Sequence, residues 1–225
     1  MPTESTLLTT DPLLHNLPLD GGQAALTPLS RSLLQVLEQR RSERQFSARS
    51  VPLPVLAQLL WAACGVNRPA TGQRTAPSAK NWQEIDIYVA QQDGLFLFEA
   101  AAGALRQLDQ RDVRAATGWQ DFVAGVPVNL VYVADLAKMD HAPRWEQKLY
   151  AALDTGYISQ NVYLFCAAQG LATVARAWVD RPVLAHVLGL RANQRVMLAQ
   201  SVGFPGHAAP IAPGADGRTN DAACR

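Results

Sequence analysis

The 225-residue sequence is long enough to bury a full hydrophobic core, and one domain with short extensions is the simplest organisation. Charged residues are 17% of the chain and the formal net charge is +1, so no broad basic field exists for a nucleic-acid partner. Cys64, Cys166 and Cys224 stand apart without metal-ligand spacing, which excludes a zinc site or disulfide scaffold and fits a reducing, cytoplasmic setting. No apolar run approaches the ~20 residues that cross a bilayer. Glu4 and Asp11, set among short apolar pieces with no basic leader, do not make a signal peptide. A sparingly charged surface leaves room for a subunit interface, a mild argument for a dimer.

Residues 1–28 hold Pro2, Pro12, Pro18, Gly21, Gly22 and Pro28, which oppose one continuous helix, yet carry many leucines. They read as an N-terminal extension that either packs over the body or a partner subunit, or frays. Ser30 is expected to cap a helix bearing Leu33, Leu34 and Leu37. Pro54 suits the first turn of a second helix through Leu56, Leu59, Leu60 and Ala63, ended by Gly65. From Gly65 to Gln83 the composition is that of a loop. Ile85, Ile87 and Val89 alternate with Asp86 and Tyr88, and an apolar run over 95–98 follows Asp93-Gly94, the pattern of a β-hairpin.

Residues 111–117 read as a short helix, and 128–134 as a buried strand behind Pro127. A long helix over 145–169 is closed by Gly170. Its apolar residues, Tyr157, Val162, Tyr163, Phe165 and Cys166, exceed one narrow stripe, which predicts burial in the core or against another chain. An extended stretch at 173–178, a short helix at 182–188 ended by Gly189, and a strand at 196–202 complete the body. The last twenty residues, 206–225, read as a flexible or loosely wrapped tail. Strands and helices do not alternate regularly, so the class is α+β.

Two segments carry chemistry. Arg40-Arg41-Ser42-Glu43-Arg44 concentrates guanidinium forks suited to a phosphate monoester. In a helix Arg40 and Arg44 share a face, and in extended chain Arg40, Ser42 and Arg44 do; Arg41 then points elsewhere. The same run also fits a basic helix end that favours the helix dipole. In the second segment Pro77 and Ser78 define a turn, and Asn81 and Gln83 offer amides that both donate and accept, as a uracil-like ring edge or a polyol requires. Ser78 and Asn81 could equally satisfy their own backbone. No dinucleotide glycine fingerprint, GKS/T loop or hydrolase triad is present, and His15, His141, His186 and His207 are dispersed.

Arg40-Arg41-Ser42-x-Arg44-x-Phe46, Leu59-Leu60-Trp61-Ala62-Ala63-x-Gly65 and Arg74-Thr75-Ala76-Pro77-Ser78-Ala79 are followed in order by several further marks. These are Ile85-Asp86-Ile87-Tyr88-Val89, Gly156-x-x-x-Gln160-Asn161-x-Tyr163-Leu164, Gly170-Leu171-Ala172-Thr173-Val174 and Val202-Gly203-Phe204-Pro205. Together they resemble the FMN-dependent nitroreductase superfamily over residues 31–205, and within it the branch that includes azoline-oxidising dehydrogenases. The resemblance implies a nitroreductase-like fold: a central, mostly antiparallel sheet flanked by helices in an interlocked homodimer, its FMN-binding domain spanning 29–205. It implies FMN at the subunit interface, with Arg40, Arg41, Ser42 and Arg44 around the phosphate and ribityl chain. Pro77, Ser78, Ala79, Asn81 and Gln83 would contact the flavin from the other subunit, and Ala175, Arg176 and Ala177 would approach the ring edge.

NADH or NADPH would be the reductant, with small electron-poor acceptors such as nitroaromatics or quinones. An azoline-oxidising dehydrogenase and a flavin-storage protein are the other readings. No side chain stands out as a proton donor. Glu84 departs from the proline that many members carry there, and the late basic residues that often complete the phosphate site are absent after Gly203. Arg218 is a poor replacement, Arg195 either compensates or faces solvent, and the phosphate then depends more heavily on Arg40 and Arg44.

Overall fold

The computed structural model describes the backbone of residues 16–18 and all of residues 31–206. A seven-stranded antiparallel sheet organises the chain. Its strands are β1 (Asn16–Pro18), β4 (Ile85–Gln91), β5 (Gly94–Glu99), β6 (Ala104–Asp109), β7 (Val128–Asp135), β8 (Ala172–Arg176) and β9 (Gln194–Gly203). They lie in the order β1-β6-β5-β4-β7-β9-β8. A two-stranded ribbon, β2 (Val66–Arg68) with β3 (Gln73–Arg74), occupies part of the stretch read as loop. Its strands are too short and polar to announce themselves by periodicity. β1 places three residues of the N-terminal extension on the sheet edge beside β6. The rest of that extension and the tail from 207 onward, with Arg218 and Cys224, lie outside the described residues.

The central strands are buried on both faces. Along β7, Val128, Leu130, Tyr132 and Ala134 join the cluster under the helices, while Val131 and Val133 join the opposite one. The helices are α1 (Leu33–Gln39), α2 (Leu53–Cys64), α3 (Arg144–Gln169) and α4 (Arg181–Val187). Helices α2 and α3 cover the first face, and α4 contributes Leu184 to the second. The cap of helix α1 lies two residues later than expected. Ser32, not Ser30, caps it, accepting from the Gln35 N–H while the Gln35 side chain accepts from the Ser32 N–H. That reciprocal capping box outweighs a lone serine two residues earlier. Pro54 lies in the first turn of α2 and Gly65 ends it, as the sequence predicts. Residues 111–117 form only a short 3-10 turn, Arg114–Thr117.

Helix α3 runs across the sheet and stops where Gly170 turns left-handed at φ 70°. Ala151, Asp154, Thr155, Ile158, Ser159, Val162, Phe165 and Cys166 recur at three- and four-residue spacing and form its buried stripe. On another face Trp145, Leu149, Leu153 and Tyr157, each four residues apart, remain exposed. Both halves of the candidate site hang on this helix.

Candidate functional site

Arg40 closes α1, and residues 41–45 beyond it belong to no helix or strand. That stretch is stitched to the end of the sheet: Glu43 N–H donates to Thr173 O, Ser47 N–H donates to Phe204 O, and Phe46 bridges Pro205. Arg40 and Ser42 both reach Tyr163 of α3. The Arg40 guanidinium lies 5.4 Å from the Tyr163 ring centroid, and Ser42 Oγ is 2.9 Å from the Tyr163 hydroxyl. The same hydroxyl accepts the Ala175 N–H of β8 at 2.8 Å. Arg41 pairs with Glu43 at 3.6 Å. Neither Arg40 nor Arg44 has an ion-pair partner among the described residues. A cleft of about 340 Å³ nearby is lined by Arg31, Arg41, Glu43, Tyr163, Thr173 and Pro205, and not by Arg40, Ser42 or Arg44.

The second segment forms its own structure. Ser78 Oγ donates to Glu84 Oε2 at 3.2 Å and accepts the Gln83 N–H at 2.8 Å, and Ala79 N–H donates to Asp154 Oδ2 at 2.9 Å. Gln83 Nε2 donates to Asn81 Oδ1 and to Gly72 O. Lys80, Asn81 and Gln83 all take positive φ, at 49°, 55° and 51°. Three non-glycine residues in that region within four positions are costly and persist only where the surroundings hold them. Here the holders are the Lys80–Glu146 ion pair at 3.1 Å, the packing of Trp82 on Tyr150, and the bond from Lys138 Nζ to Gln83 O. Pro77 and Asn81 are exposed.

Burial first, and the neighbouring Asp154 charge after it, push the Glu84 carboxyl up to about 7. Burial likewise raises the thiols of Cys64 and Cys166, so neither is a nucleophile.

Within one chain the two halves do not meet. Ser42 joins α3 at Tyr163, whereas Ala79 joins it at Asp154, nine residues or about 13 Å earlier along the axis. Of the third predicted group, Ala175 is half-buried and bonded to Tyr163, and Ala177 is exposed. Arg176 is buried, and its guanidinium turns into the sheet, donating to Thr117, Gln120, Asn129 and Ser201. Every one of those acceptors is neutral, and burial lowers Arg176 to about 10. Asn161 also serves structure, donating to Ala63 O. Arg195 does not complete the phosphate site. It opens β9 and bonds the carbonyls of Ala192 and Gln194, about 30 Å of extended strand from Phe204.

The nitroreductase family model matches residues 37–204, a span that takes in the arginine segment, the 77–83 loop, α3 and β8. The chain belongs to the nitroreductase family. A crystal structure from Ralstonia eutropha JMP134, assigned as a nitroreductase, shares 38% identity at a TM-score of 0.75, covering 78% of this chain and 83% of that one. The fold is shared more widely. The Escherichia coli microcin synthetase McbBCD complex with truncated pro-MccB17 superposes at 0.67 with 16% identity, covering 80% of this chain and 75% of that one. The NADPH:FMN oxidoreductase of Vibrio harveyi complexed with NAD+ superposes at 0.60 with 19% identity, covering 81% and 72%.

Residue-level reading named Tyr163 and Glu84 without a role and passed over Asp154. Tyr163 falls inside a motif but looks like one more core aromatic, and Asp154 and Glu84 acquire meaning only when the fold sets them together across 70 residues of chain.

Proposed function

We propose that this chain is an FMN-dependent oxidoreductase that works as a homodimer, draws electrons from NADH or NADPH, and reduces small electron-poor acceptors such as nitroaromatics or quinones. The observation that carries the reading is the pair Arg40 and Arg44, without ion-pair partners among the described residues, on either side in sequence of a serine that Tyr163 ties to β8. FMN, when bound, would supply the redox chemistry of the reaction. Arg40, Ser42 and Arg44 would bind its phosphate and ribityl chain. Ala175 and Ala177 would border the ring edge with backbone, and Arg41 would remain with Glu43. Pro77, Ser78, Ala79, Asn81 and Gln83 would come from the second subunit, which answers the ~13 Å separation along α3. The exposed stripe Trp145, Leu149, Leu153 and Tyr157 supports such an interface. A cytoplasmic location suits a nicotinamide reductant, and no helix among the described residues is long and apolar enough to cross a membrane.

The test is a visible spectrum of the purified protein followed by anaerobic titration with NADH and NADPH. Bound FMN absorbs near ~450 nm and should bleach with at least one of the two, then recover on addition of a nitroaromatic or quinone. Bound flavin that neither nicotinamide reduces would overturn the proposal. Bleaching by an azoline substrate alone would point instead to the oxidative direction, and a flavin closed to every small reductant to storage.

A further inference from the structure

Glu84 and Asp154 form a buried acid pair beneath the loop that carries Ser78, Asn81 and Gln83. Glu84 is 0% exposed and Asp154 3%. Each grips the loop. Asp154 Oδ2 accepts the Ala79 N–H, while Glu84 Oε2 accepts the Ser78 hydroxyl, whose oxygen accepts the Gln83 N–H. Those contacts bracket the three left-handed residues, so the acid pair holds the segment in a conformation its residue types disfavour.

Both carboxyls line one small cavity, and Glu84 Oε1 has no hydrogen-bond partner among the described residues. Ionised carboxylates are acceptors only, so they can bond to each other only through a proton. Among the described residues no cation bonds either acid, although the Arg74 Nε beside them is itself buried and unpartnered. Arg74 from β3 lines the same small cavity of about 20 Å³, but its Nη1 goes to Cys64 Sγ of α2 at 3.4 Å and it bonds neither acid. Lys138 is taken by Asp86 and Gln83 O, and Lys80 by Glu146 of α3.

We propose that Glu84 and Asp154 are positioning residues, and that a proton kept on Glu84 beside Asp154 holds the 78–83 loop in its ligand-binding shape. With it gone, two negative charges share one small buried cavity and the loop loosens. The value of about 7 for Glu84 sets the transition near neutrality. The ligand consequence rests on the FMN reading above: flavin affinity falls as the pH rises through that range.

The experiment reads the loop and the ligand separately. Amide hydrogen exchange of Ala79 and Gln83 in the full chain, corrected for intrinsic rates, is followed from roughly pH 5.5 to roughly pH 8.5, with FMN and riboflavin affinities measured over the same range. Wild type should lose protection about tenfold or more above neutrality, while Glu84→Gln, which keeps the shape and bonds without titrating, should stay protected throughout. Asp154→Asn provides the second variant and should also flatten the profile. Affinity should follow protection for both flavins, and because the FMN phosphate ionises identically with either protein, the difference between wild type and Glu84→Gln isolates the acid pair. Matching pH profiles in wild type and Glu84→Gln would overturn the proposal. Absence of flavin binding at every pH would remove the assigned function instead, and amide exchange alone would still decide whether the proton holds the loop.

Discussion

At the scale of single residues, the arginines divide by what they touch. Arg41 has Glu43 and Arg176 has a cage of neutral acceptors, which leaves Arg40 and Arg44 as charge available to a ligand. Replacing either by alanine removes one charge-assisted contact of about 1.5–3 kcal/mol, so FMN affinity should fall roughly 10- to 100-fold per residue. Riboflavin, lacking the phosphate, should lose much less, and parallel fluorescence titrations of the two flavins check this. Equal losses would place the arginines elsewhere in the site. Arg176 is tested through its neighbour. A Cβ on Gly118 would sit 2.1 Å from Arg176 Nη1, so Gly118→Ala must push the guanidinium out of its bonds with Thr117 and Gln120. Nε and Nη2 keep Ser201, Thr117 Oγ1 and Asn129, so the loss is that of the Nη1 hydrogen bonds of a charged group, about 1.5–3 kcal/mol, which urea unfolding should show.

At the scale of elements, the start of β4 is governed by one titrating side chain. Glu84 is raised from 4.5 to about 7, so between those values the folded chain keeps a proton that the unfolded chain releases. Stability from this group is therefore full below pH ~4.5, declines as the pH rises through ~7, and is flat above it, a span of up to about 3 kcal/mol. Glu84→Gln should lack that decline and should be the more stable protein at pH ~8, as denaturation midpoints at several pH values will show. This group also marks where sequence reading stops. The β4–β5 hairpin, α2 with its proline start and glycine end, and α3 with its left-handed Gly170 were legible because local chemistry alone fixes them. Strand β6 was not, since Ala-Leu-Arg-Gln-Leu-Asp lacks both β-branching and alternation and owes its state to pairing with β5 and β1. The Ser42–Tyr163–Ala175 connection and the Glu84–Asp154 pair were invisible for a related reason. Each joins positions tens of residues apart whose side chains are unremarkable one by one.

At the scale of the whole molecule, one protomer presents the two halves of its site apart along α3, and it exposes apolar side chains that a lone protein would cover. Trp145, Leu149, Leu153 and Tyr157 are 43–63% exposed on one face of α3, and Leu33, Leu34 and Leu37 are 46–76% exposed on α1. A second copy laid along α3 would bury the stripe and bring its own 77–83 loop toward Arg40 and Ser42. Oligomeric state and flavin affinity are then one property measured twice. Leu149→Glu or Leu153→Glu sets a carboxylate within that stripe at a position that leaves the core untouched, since neither leucine is buried within the protomer. Each should shift the protein from dimer to monomer in light scattering, and FMN affinity should fall at least tenfold although no residue assigned to the flavin has been altered. A monomeric variant with unchanged FMN affinity would mean that one chain builds the whole site. A dimeric variant with undiminished affinity would move the interface to another face.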